Sequence, residues 1–351
     1  MSAPVGVTLI GTGAWGRRLA AAVRRTSGVR LVCCFSRDES RRLVFAQEFG
    51  CAAAPSFDAA IDRDDIEGVL LVTPNYVHGE QAMACAARRK HVFVEKPIAD
   101  ALSDGQAMAA ACQAAGVALM VGHGLRRLGA ARRVRQLLEE GTLGTVVLAE
   151  ANFSLPGTLT PDTWRAYRRT CPGGPLMQLG VHHADTLQYW LGPVTRVQGS
   201  FARLATPAEI DDVAVAGLDF ASGARGVLTS SYVSPQTYFL RLYGTTAVLE
   251  YRTDMSVWPE TEKMDGATTL SLLLRTGRVM VEFEPRDVLV EELEEFARCV
   301  RGGAKPETGA AEALAALRVV RGAIESHERG AVVTLEPAGS GSSILLGEAI
   351  S

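Results

Sequence analysis

The chain has 351 residues, too many for one ordinary compact domain and enough for two that each bury a core without disulfide or metal support. Hydrophobic residues make up 47% and charged residues 21%, as in globular proteins, and the net charge of -3 gives no reason to expect a polyanionic partner. Its arginine clusters are not interleaved with aromatic stacking residues, so nucleic acid is excluded as the leading partner.

The first third of the chain alternates short β-branched runs with alanine-rich helical stretches, the pattern typical of a parallel sheet with crossover helices. Predicted strands cover residues 5–10, 29–35, 68–72, 91–94 and 118–121. We therefore predict an α/β fold whose residues 1–122 form a doubly wound Rossmann domain with a parallel sheet.

The remaining chain changes to longer strand candidates that follow one another with few helices between them. These candidates cover residues 145–153, 194–204, 213–220, 224–233 and 239–243, and they predict an α+β domain over residues 123–338 with a mainly antiparallel sheet. Helical spacing predicts two late helices over residues 288–300 and 310–326, and the Gly/Ser-rich residues 339–351 are expected to form a flexible tail.

A glycine-rich turn, Gly11-Thr12-Gly13-Ala14-Trp15-Gly16, directly follows the first predicted strand and opens the first helix. In this position a GxGxxG motif predicts dinucleotide binding: the first glycine permits a tight turn, the second lets the backbone approach a diphosphate, and the third lets helix and strand pack closely. The helix N-terminus adds free N–H groups and a partial positive charge. The alternative is a glycine-rich turn without a ligand.

The end of the second predicted strand indicates which coenzyme is bound. An acidic residue there would bond the adenosine ribose of NAD, whereas this chain has Ser36-Arg37, a hydroxyl and a cation that suit the extra phosphate of NADP. Arg41 or Arg42 could assist. We therefore expect NADP rather than NAD, the alternative being that Arg37 is merely exposed and that Asp38 bonds the ribose.

The strand ending in Glu95-Lys96-Pro97 supplies the candidate catalytic lysine. Proline disfavours helical geometry at the residue before it, so Lys96 is predicted to be extended at the carboxyl edge of the sheet, where ligands bind in this fold. A partly desolvated lysine near a cationic coenzyme ring would have a lowered pKa and could carry the proton of a reacting hydroxyl. The alternative is an ordinary surface ion pair.

A second candidate element runs from Gly173 through two adjacent histidines and is predicted to continue as a helix up to Gly192. His183 falls on an apolar helical stripe and is expected in the core, whereas His182 shares a stripe with Gln178 and is expected to face the cleft. Adjacent helical residues diverge by roughly 100°, and no third ligand is evident, so we expect no metal.

Cysteine usage and hydropathy indicate the compartment. The seven cysteines form no CxxC pair or other metal-ligand spacing, which favours a reducing environment. No apolar stretch approaches the roughly 20 residues that a membrane span needs, and the N-terminus runs straight into a strand-like segment. We therefore expect a cytoplasmic protein without membrane contact.

Together these elements resemble the Gfo/Idh/MocA family of NAD(P)-dependent dehydrogenases, which includes glucose-fructose oxidoreductase and inositol dehydrogenase. The resemblance covers nearly the whole chain. Besides the glycine turn, the lysine motif and the histidine segment, it is carried by Thr73-Pro74-Asn75 with His78, Gly122-His123 with Arg126, Trp164-Arg165, and Gly244-Thr245.

The resemblance implies a Rossmann domain followed by a domain with a large open sheet that often serves as an oligomer interface, so a homodimer or homotetramer is expected. It implies that Lys96 and His182 line the reaction centre. Expected cofactor neighbours are Thr73, Pro74, Asn75, His78, Glu95 and Lys96, and the candidates for the substrate wall are His123, Arg126, Trp164, Arg165, Tyr167, Gln178 and His182.

One position departs from the family pattern. Gln178 stands where the commonest form of the family has an aspartate four residues before the histidine; it can hydrogen-bond a substrate hydroxyl but cannot act as a base. Proton transfer would then depend on Lys96, with His182 as its partner or orienter and Gln178 beside them in the catalytic group.

The leading hypothesis is an NADP-dependent oxidoreductase that moves hydride between nicotinamide and a secondary alcohol or ketone of a sugar, polyol or related cyclic diol. Two alternatives remain: a non-catalytic NAD(P)-binding regulator of the same fold, motivated by Gln178, and a dihydrodiol dehydrogenase. The cationic residues Arg126, Arg165, Arg168 and Arg169 further suggest a carboxylated or phosphorylated substrate.

Overall fold

The computed structural model describes residues 3–157 and 159–336, and the predicted tail over residues 339–351 lies outside this part of the chain. The first sheet contains β1 (Val5–Ile10), β2 (Val29–Phe35), β3 (Ala52–Ala53), β4 (Gly68–Leu71), β5 (His91–Glu95) and β6 (Leu119–Gly122). Its strand order is β3-β2-β1-β4-β5-β6, and all its pairings are parallel. The strand order reverses between β1 and β4, the position at which doubly wound sheets bind ligands.

The helices that follow these strands are α1 (Ala14–Val23), α2 (Glu39–Phe49), α3 (Phe57–Ile61), α4 (His78–Ala87) and α5 (Leu102–Ala115). Every residue of β1 and β4 is buried, as expected for central parallel strands covered on both faces.

The second sheet contains nine strands: β7 (Val146–Ser154), β8 (Val194–Ala202), β9 (Val213–Phe220), β10 (Arg225–Ser231), β11 (Thr237–Gly244), β12 (Val248–Thr253), β13 (Thr268–Leu274), β14 (Gly277–Met280) and β15 (Val333–Thr334). Its order is β14-β13-β12-β11-β7-β10-β9-β8-β15, and only β7 and β10 pair in parallel. Its helices are α6 (Gly129–Glu139), α7 (Val181–Leu191), α8 (Val288–Gly302) and α9 (Ala310–Arg329). The predicted fold class is therefore confirmed.

Helix α8 follows the second sheet in sequence but packs against α1, β1 and β2 of the first domain. Its Phe296 ring lies where a side chain at Gly68 would otherwise extend, 2.7 Å from the position of a Cβ there. The same ring meets Phe93 edge-on, with 6.1 Å between the ring centroids. This packing anchors α8 to the first sheet. Among the described residues, no helix has both the length and the apolar character needed to cross a bilayer.

Candidate active site

Three parallel strands end at one edge of the first sheet and bring the candidate residues together. The glycine turn follows β1, Thr73 lies shortly after β4, and Lys96 follows β5 directly. Because parallel strands share their carboxyl edge, residues distant in sequence line one cleft there. The cleft has a volume of about 620 Å³, and the predicted residues on its wall are Gly11, Gly13, Ala14, Trp15, Gly16, Ser36, Arg37, Arg41, Thr73, Pro74, Trp164 and Arg165.

The glycine turn has room and donors for a diphosphate. Gly11 has φ +108°, and a Cβ there would lie 2.3 Å from the Val72 carbonyl oxygen. A Cβ at Gly16 would lie 2.1 Å from the Gly11 carbonyl oxygen. Gly13, the N-cap of α1, has no side-chain cap, and a Cβ there would meet nothing within 4 Å. The uncapped helix end and the open space at Gly13 fit the backbone cradle of a dinucleotide.

The ribose end of the cleft presents hydroxyls and arginines. The Thr12 hydroxyl donates a hydrogen bond of 2.9 Å to the Ser36 hydroxyl. The Ser36 hydroxyl in turn donates to the Asp38 carbonyl oxygen. Arg37 is exposed at the cleft wall. The Asp38 carboxylate caps α2 by accepting from the Arg41 amide over 2.9 Å, and its other oxygen lies 3.2 Å from the Arg41 guanidinium. Asp38 is thus already engaged with its own helix.

Arg42, the other possible helper, is directed away from the cleft. Its side chain is buried and donates to the Ser36 carbonyl oxygen over 2.9 Å. Arg42 therefore supports the loop that carries Ser36 and Arg37, and it is not one of the residues on the cleft wall.

A smaller cavity of about 270 Å³ adjoins the cleft and contains the candidate catalytic lysine. The two spaces share the walls formed by Trp15, Val72, Thr73, Trp164, Arg165 and Trp258. The smaller cavity adds Asn75, Glu95, Lys96, Leu155, Pro156, Gly157, Gln178, Leu179 and Tyr232. A molecule bound in this cavity would therefore contact Lys96 and would also lie against the residues that the cavity shares with the cleft.

Lys96 is half-buried and donates from Nζ to the main-chain oxygen of Gln178 over 2.8 Å. Burial lowers the pKa of Lys96 to about 8, against the opposing effect of the Glu95 carboxylate beside it. Burial raises the pKa of Glu95 to about 7, and here the Lys96 charge opposes the shift. Lys96 is only partly exposed and lines the small cavity.

Gln178 lies in a π-helical turn, Leu176–Gly180, that precedes α7. Its Nε2 donates to Asn75 Oδ1 over 3.1 Å, and Asn75 Nδ2 donates to Asp100 Oδ1. These three side chains form a continuous chain of hydrogen bonds that starts at the cavity wall. Such π-turns are frequent at functional sites.

The two adjacent histidines differ in their surroundings. His183 is buried and its Nε2 lies 3.1 Å from the Asn152 carbonyl oxygen, in keeping with the expected core position. His182 is also buried, with ring centroids 5.7 Å from Phe153 and 6.0 Å from Trp258, and neither ring nitrogen has a partner among the described residues. Burial, reinforced by the charge of Lys96, keeps the pKa of His182 well below its ordinary value, so the ring is neutral.

Four residues expected on the substrate wall do not line the small cavity: His182, described above, and three others. The Arg126 guanidinium is buried and forms a bidentate pair with Asp185, whose carboxylate fixes it away from both cavities. His123 is buried beside the same carboxylate, with Nδ1 3.9 Å from an Asp185 oxygen. The Tyr167 hydroxyl donates outward to the Pro161 carbonyl oxygen over 2.7 Å. Of the expected wall residues, Trp164, Arg165 and Gln178 do line the small cavity.

His78, expected near the cofactor, supports the loops from behind. Its two ring nitrogens lie 2.9 Å from the Thr73 carbonyl oxygen and 3.0 Å from the Pro97 carbonyl oxygen. It is buried and therefore ties the loop after β4 to the loop after β5. Its position is structural, one layer behind Thr73.

Two aromatic residues on the cavity wall were missed from the sequence. Trp258 stacks on Trp15 with 5.5 Å between ring centroids, and Tyr232 lines the small cavity. Trp258 comes from the loop after β12 and Tyr232 from the end of β10, and no motif or periodicity marks either of them. Only the folding of the second domain over the first brings them to the site.

Comparison with known proteins matches both parts of the chain to family models. Residues 5–123 match the model of an oxidoreductase family with an NAD-binding Rossmann fold, and residues 131–250 match the GFO/IDH/MocA C-terminal domain. D-xylose 1-dehydrogenase (NADP(+)) 2 from Haloferax volcanii is 29% identical over 343 residues, which cover 93% of this chain and 99% of that protein. The 1,5-anhydro-D-fructose reductase of Ensifer adhaerens is 27% identical, covering 93% of this chain and 98% of its own.

Solved structures give the same result. A crystal structure from Desulfitobacterium hafniense DCB-2, of a protein provisionally assigned as an NADPH-dependent oxidoreductase, is 36% identical with a TM-score of 0.91. It covers 95% of this chain and 98% of that one. Aldose-aldose oxidoreductase from Caulobacter crescentus, complexed with glycerol, is 25% identical with a TM-score of 0.85, covering 95% of this chain and all of the other.

Proposed function

The chain belongs to the Gfo/Idh/MocA family of oxidoreductases, and from this premise we propose that it transfers hydride between NADP and a secondary alcohol or ketone of a sugar or related polyol. Lys96 carries the hydroxyl proton. The observation that supports this most directly is the position of the Lys96 amine in the small cavity that opens into the dinucleotide cleft.

When bound, the nicotinamide ring accepts or supplies the hydride. In the oxidation, the carbon of the substrate loses its C–H bond as hydride while neutral Lys96 takes the proton of the hydroxyl on the same carbon. In the reduction, the Lys96 ammonium returns that proton to the new alkoxide oxygen. The lowered pKa of Lys96, about 8, places both protonation states within reach near neutral pH.

A main-chain hydrogen bond holds the lysine amine in place. The main-chain carbonyl oxygen of Gln178 accepts a hydrogen bond from one N–H of the Lys96 ammonium. The other N–H groups of the ammonium remain available for substrate. Neutral His182 adds no competing charge and packs against Trp258 at the cavity wall. We assign His182 as an orienting residue and Lys96 as the proton carrier.

The walls of the small cavity suit a polyhydroxylated ring. Aromatic faces from Trp15, Trp164 and Trp258 can cover the apolar side of a ring, while Asn75 and Gln178 offer polar atoms to its hydroxyls. The named activities of the xylose and anhydrofructose relatives support a sugar as substrate. Arg165 also lines the cavity, which keeps a carboxylated sugar among the candidates.

A substrate panel tests this proposal. Purified protein is incubated with NADP⁺ or NAD⁺ and D-xylose, D-glucose, myo-inositol, a uronic acid or an aromatic dihydrodiol, and with NADPH and 1,5-anhydro-D-fructose. We expect a change in coenzyme absorbance with at least one sugar. Coenzyme binding without turnover of any compound would instead favour the regulator, and turnover of the dihydrodiol alone would favour the dihydrodiol dehydrogenase.

The preference for NADP is tested at Arg37, which is exposed at the cleft wall. Arg37→Ala is expected to raise the Kd for NADPH by about tenfold or more, because a charge-assisted bond to the extra phosphate is lost. The Kd for NADH should stay unchanged in a fluorescence titration. Arg30→Ala, at the other end of β2, is the matched control, and an equal loss for both coenzymes would contradict the assignment.

A further inference from the structure

The hydrogen-bond chain behind the small cavity ends on a carboxylate. Gln178 Nε2 donates to Asn75 Oδ1, and Asn75 Nδ2 donates to Asp100 Oδ1. Asp100 lies shortly after Lys96 and Pro97 and is half-buried. Its second carboxylate oxygen has no hydrogen-bond partner among the described residues. Neither Asp100 nor this chain of contacts takes part in the proton transfer described above.

The carboxylate fixes the direction of both amides. An ionised carboxylate only accepts, so Asn75 must turn its NH₂ group towards Asp100 and its oxygen towards Gln178. Gln178 must then turn its own NH₂ group towards Asn75.

The remaining atom of the Gln178 amide is Oε1, which can only accept. Among the described residues no group donates to this oxygen, and Gln178 is part of the cavity wall. Lys96 lies in the same wall, with its Nζ bonded to the main-chain oxygen of Gln178. The cavity wall therefore carries both the Lys96 amine, the proposed proton carrier, and the Gln178 Oε1 atom, which can only accept a hydrogen bond.

We infer that Asp100 is a positioning residue which, through Asn75, locks Gln178 Oε1 towards the substrate and so selects a substrate that carries a hydroxyl donor on the carbon next to the reacting one. This inference rests on the proposed function. This inference gives Gln178 a role. An aspartate at this position, as in the commonest form of the family, would offer hydrogen-bond acceptors from both of its oxygens. The glutamine offers an acceptor towards the substrate only because Asp100 fixes the orientation of its amide.

The test compares two forms of one substrate. The first is the sugar with the highest turnover in the panel, and the second is its analogue with fluorine in place of the neighbouring hydroxyl, since fluorine does not donate. Wild-type protein should prefer the hydroxyl form in kcat/KM by about tenfold, because the analogue leaves Gln178 Oε1 without a donor. Assays at about pH 9 keep Asp100 ionised, since burial raises the pKa of Asp100 to about 7.

Asp100→Asn is nearly isosteric but can present either end of its amide, so the orientation of Gln178 is no longer fixed. Relative to wild type, we expect the preference for the hydroxyl form to shrink several-fold, with the Kd for NADPH unchanged. Asp100→Ala removes the acceptor altogether and should shrink it as well, which covers failure of the first variant to fold. Asp104→Asn, an exposed carboxylate in the first turn of α5, is the matched control and should keep the wild-type ratio.

The outcomes separate the two proposals. Turnover of both forms with an unchanged ratio in the Asp100 variants, or an equal loss for both forms, overturns the positioning role. A wild-type protein that turns over no panel compound contradicts the proposed function itself.

Discussion

The pKa of Lys96 depends on its position in the fold. The strand and the proline that follows it predict an extended lysine at the sheet edge, and the structure adds that its amine lies inside a cavity. Burial lowers the pKa of Lys96 to about 8, while Glu95 works in the opposite direction. The pKa of Lys96 is therefore set by its burial and by the neighbouring Glu95 carboxylate.

The pH profile follows from this pKa. Oxidation needs the neutral amine, so kcat for sugar oxidation should rise with pH through a midpoint near 8, and kcat for the reduction should fall over the same range. Glu95→Gln removes the carboxylate that raises the pKa of Lys96 and should move both midpoints to lower pH. Steady-state rates over a pH series check this, and midpoints that rise in the variant would refute the coupling.

Single residues also show where sequence reasoning stops. The structure places the glycine turn on the wall of the cleft, and Lys96 and Gln178 on the wall of the small cavity. Arg126 was assigned to the substrate wall, but its partner Asp185 lies 59 residues away and no local pattern reveals that pairing. A buried ion pair between distant residues is decided by packing alone.

The strand-turn-helix at the start of the chain contains glycines with different surroundings, so their roles should be separable. Gly13→Ala places a methyl group in open space, so the unfolding free energy should hold or rise slightly, while the Kd for NADPH rises about tenfold or more. Gly16→Ala drives a Cβ against the Gly11 carbonyl and should cost about 1–3 kcal/mol of stability.

Chemical denaturation and coenzyme titration of the two variants measure these effects, and each variant serves as the control for the other. Equal loss of stability in both, or full NADPH affinity in Gly13→Ala, would show that the turn does not hold the diphosphate.

Most elements could be predicted, and the strands that were not are β3, β12, β13, β14 and β15. Strands β1, β2 and β9 have the predicted bounds, and the other predicted strands differ by one or two residues at their ends. β3 and β15 have two residues each, too few for any periodicity. β12 does alternate, with Leu249 and Tyr251 buried, and this signal was overlooked.

At the scale of the whole molecule, the two domains are interlocked. Helix α8 returns from the second domain to pack on the first sheet, and Trp258 from the second domain stacks on Trp15 of the glycine turn. The small cavity therefore exists only when both domains are folded together. No local sequence pattern contains that information.

Along the strands of the nine-stranded sheet, buried residues alternate with more exposed ones, and we propose that a second copy of the chain covers the more exposed face. Val215 on β9 and Leu273 on β13 are exposed, and the Arg241–Glu150 ion pair joins β11 and β7. Wild-type protein should form a homodimer or homotetramer in light scattering. Val215→Asp should weaken assembly about a hundredfold, because a symmetric contact buries the new carboxylate twice.

The control is Val44→Asp on α2, a valine that is also exposed but lies outside that sheet. A wild-type monomer at micromolar concentration, or assembly lost equally in both variants, would exclude the sheet face as the interface.

The most direct test of the central claim is Lys96→Met, measured for both turnover and coenzyme binding. We expect kcat on the best panel sugar to fall by about a hundredfold or more, since the proposed proton carrier is lost, while the Kd for NADPH changes by no more than about twofold. Turnover within a few-fold of wild type, with NADPH still bound, would contradict it.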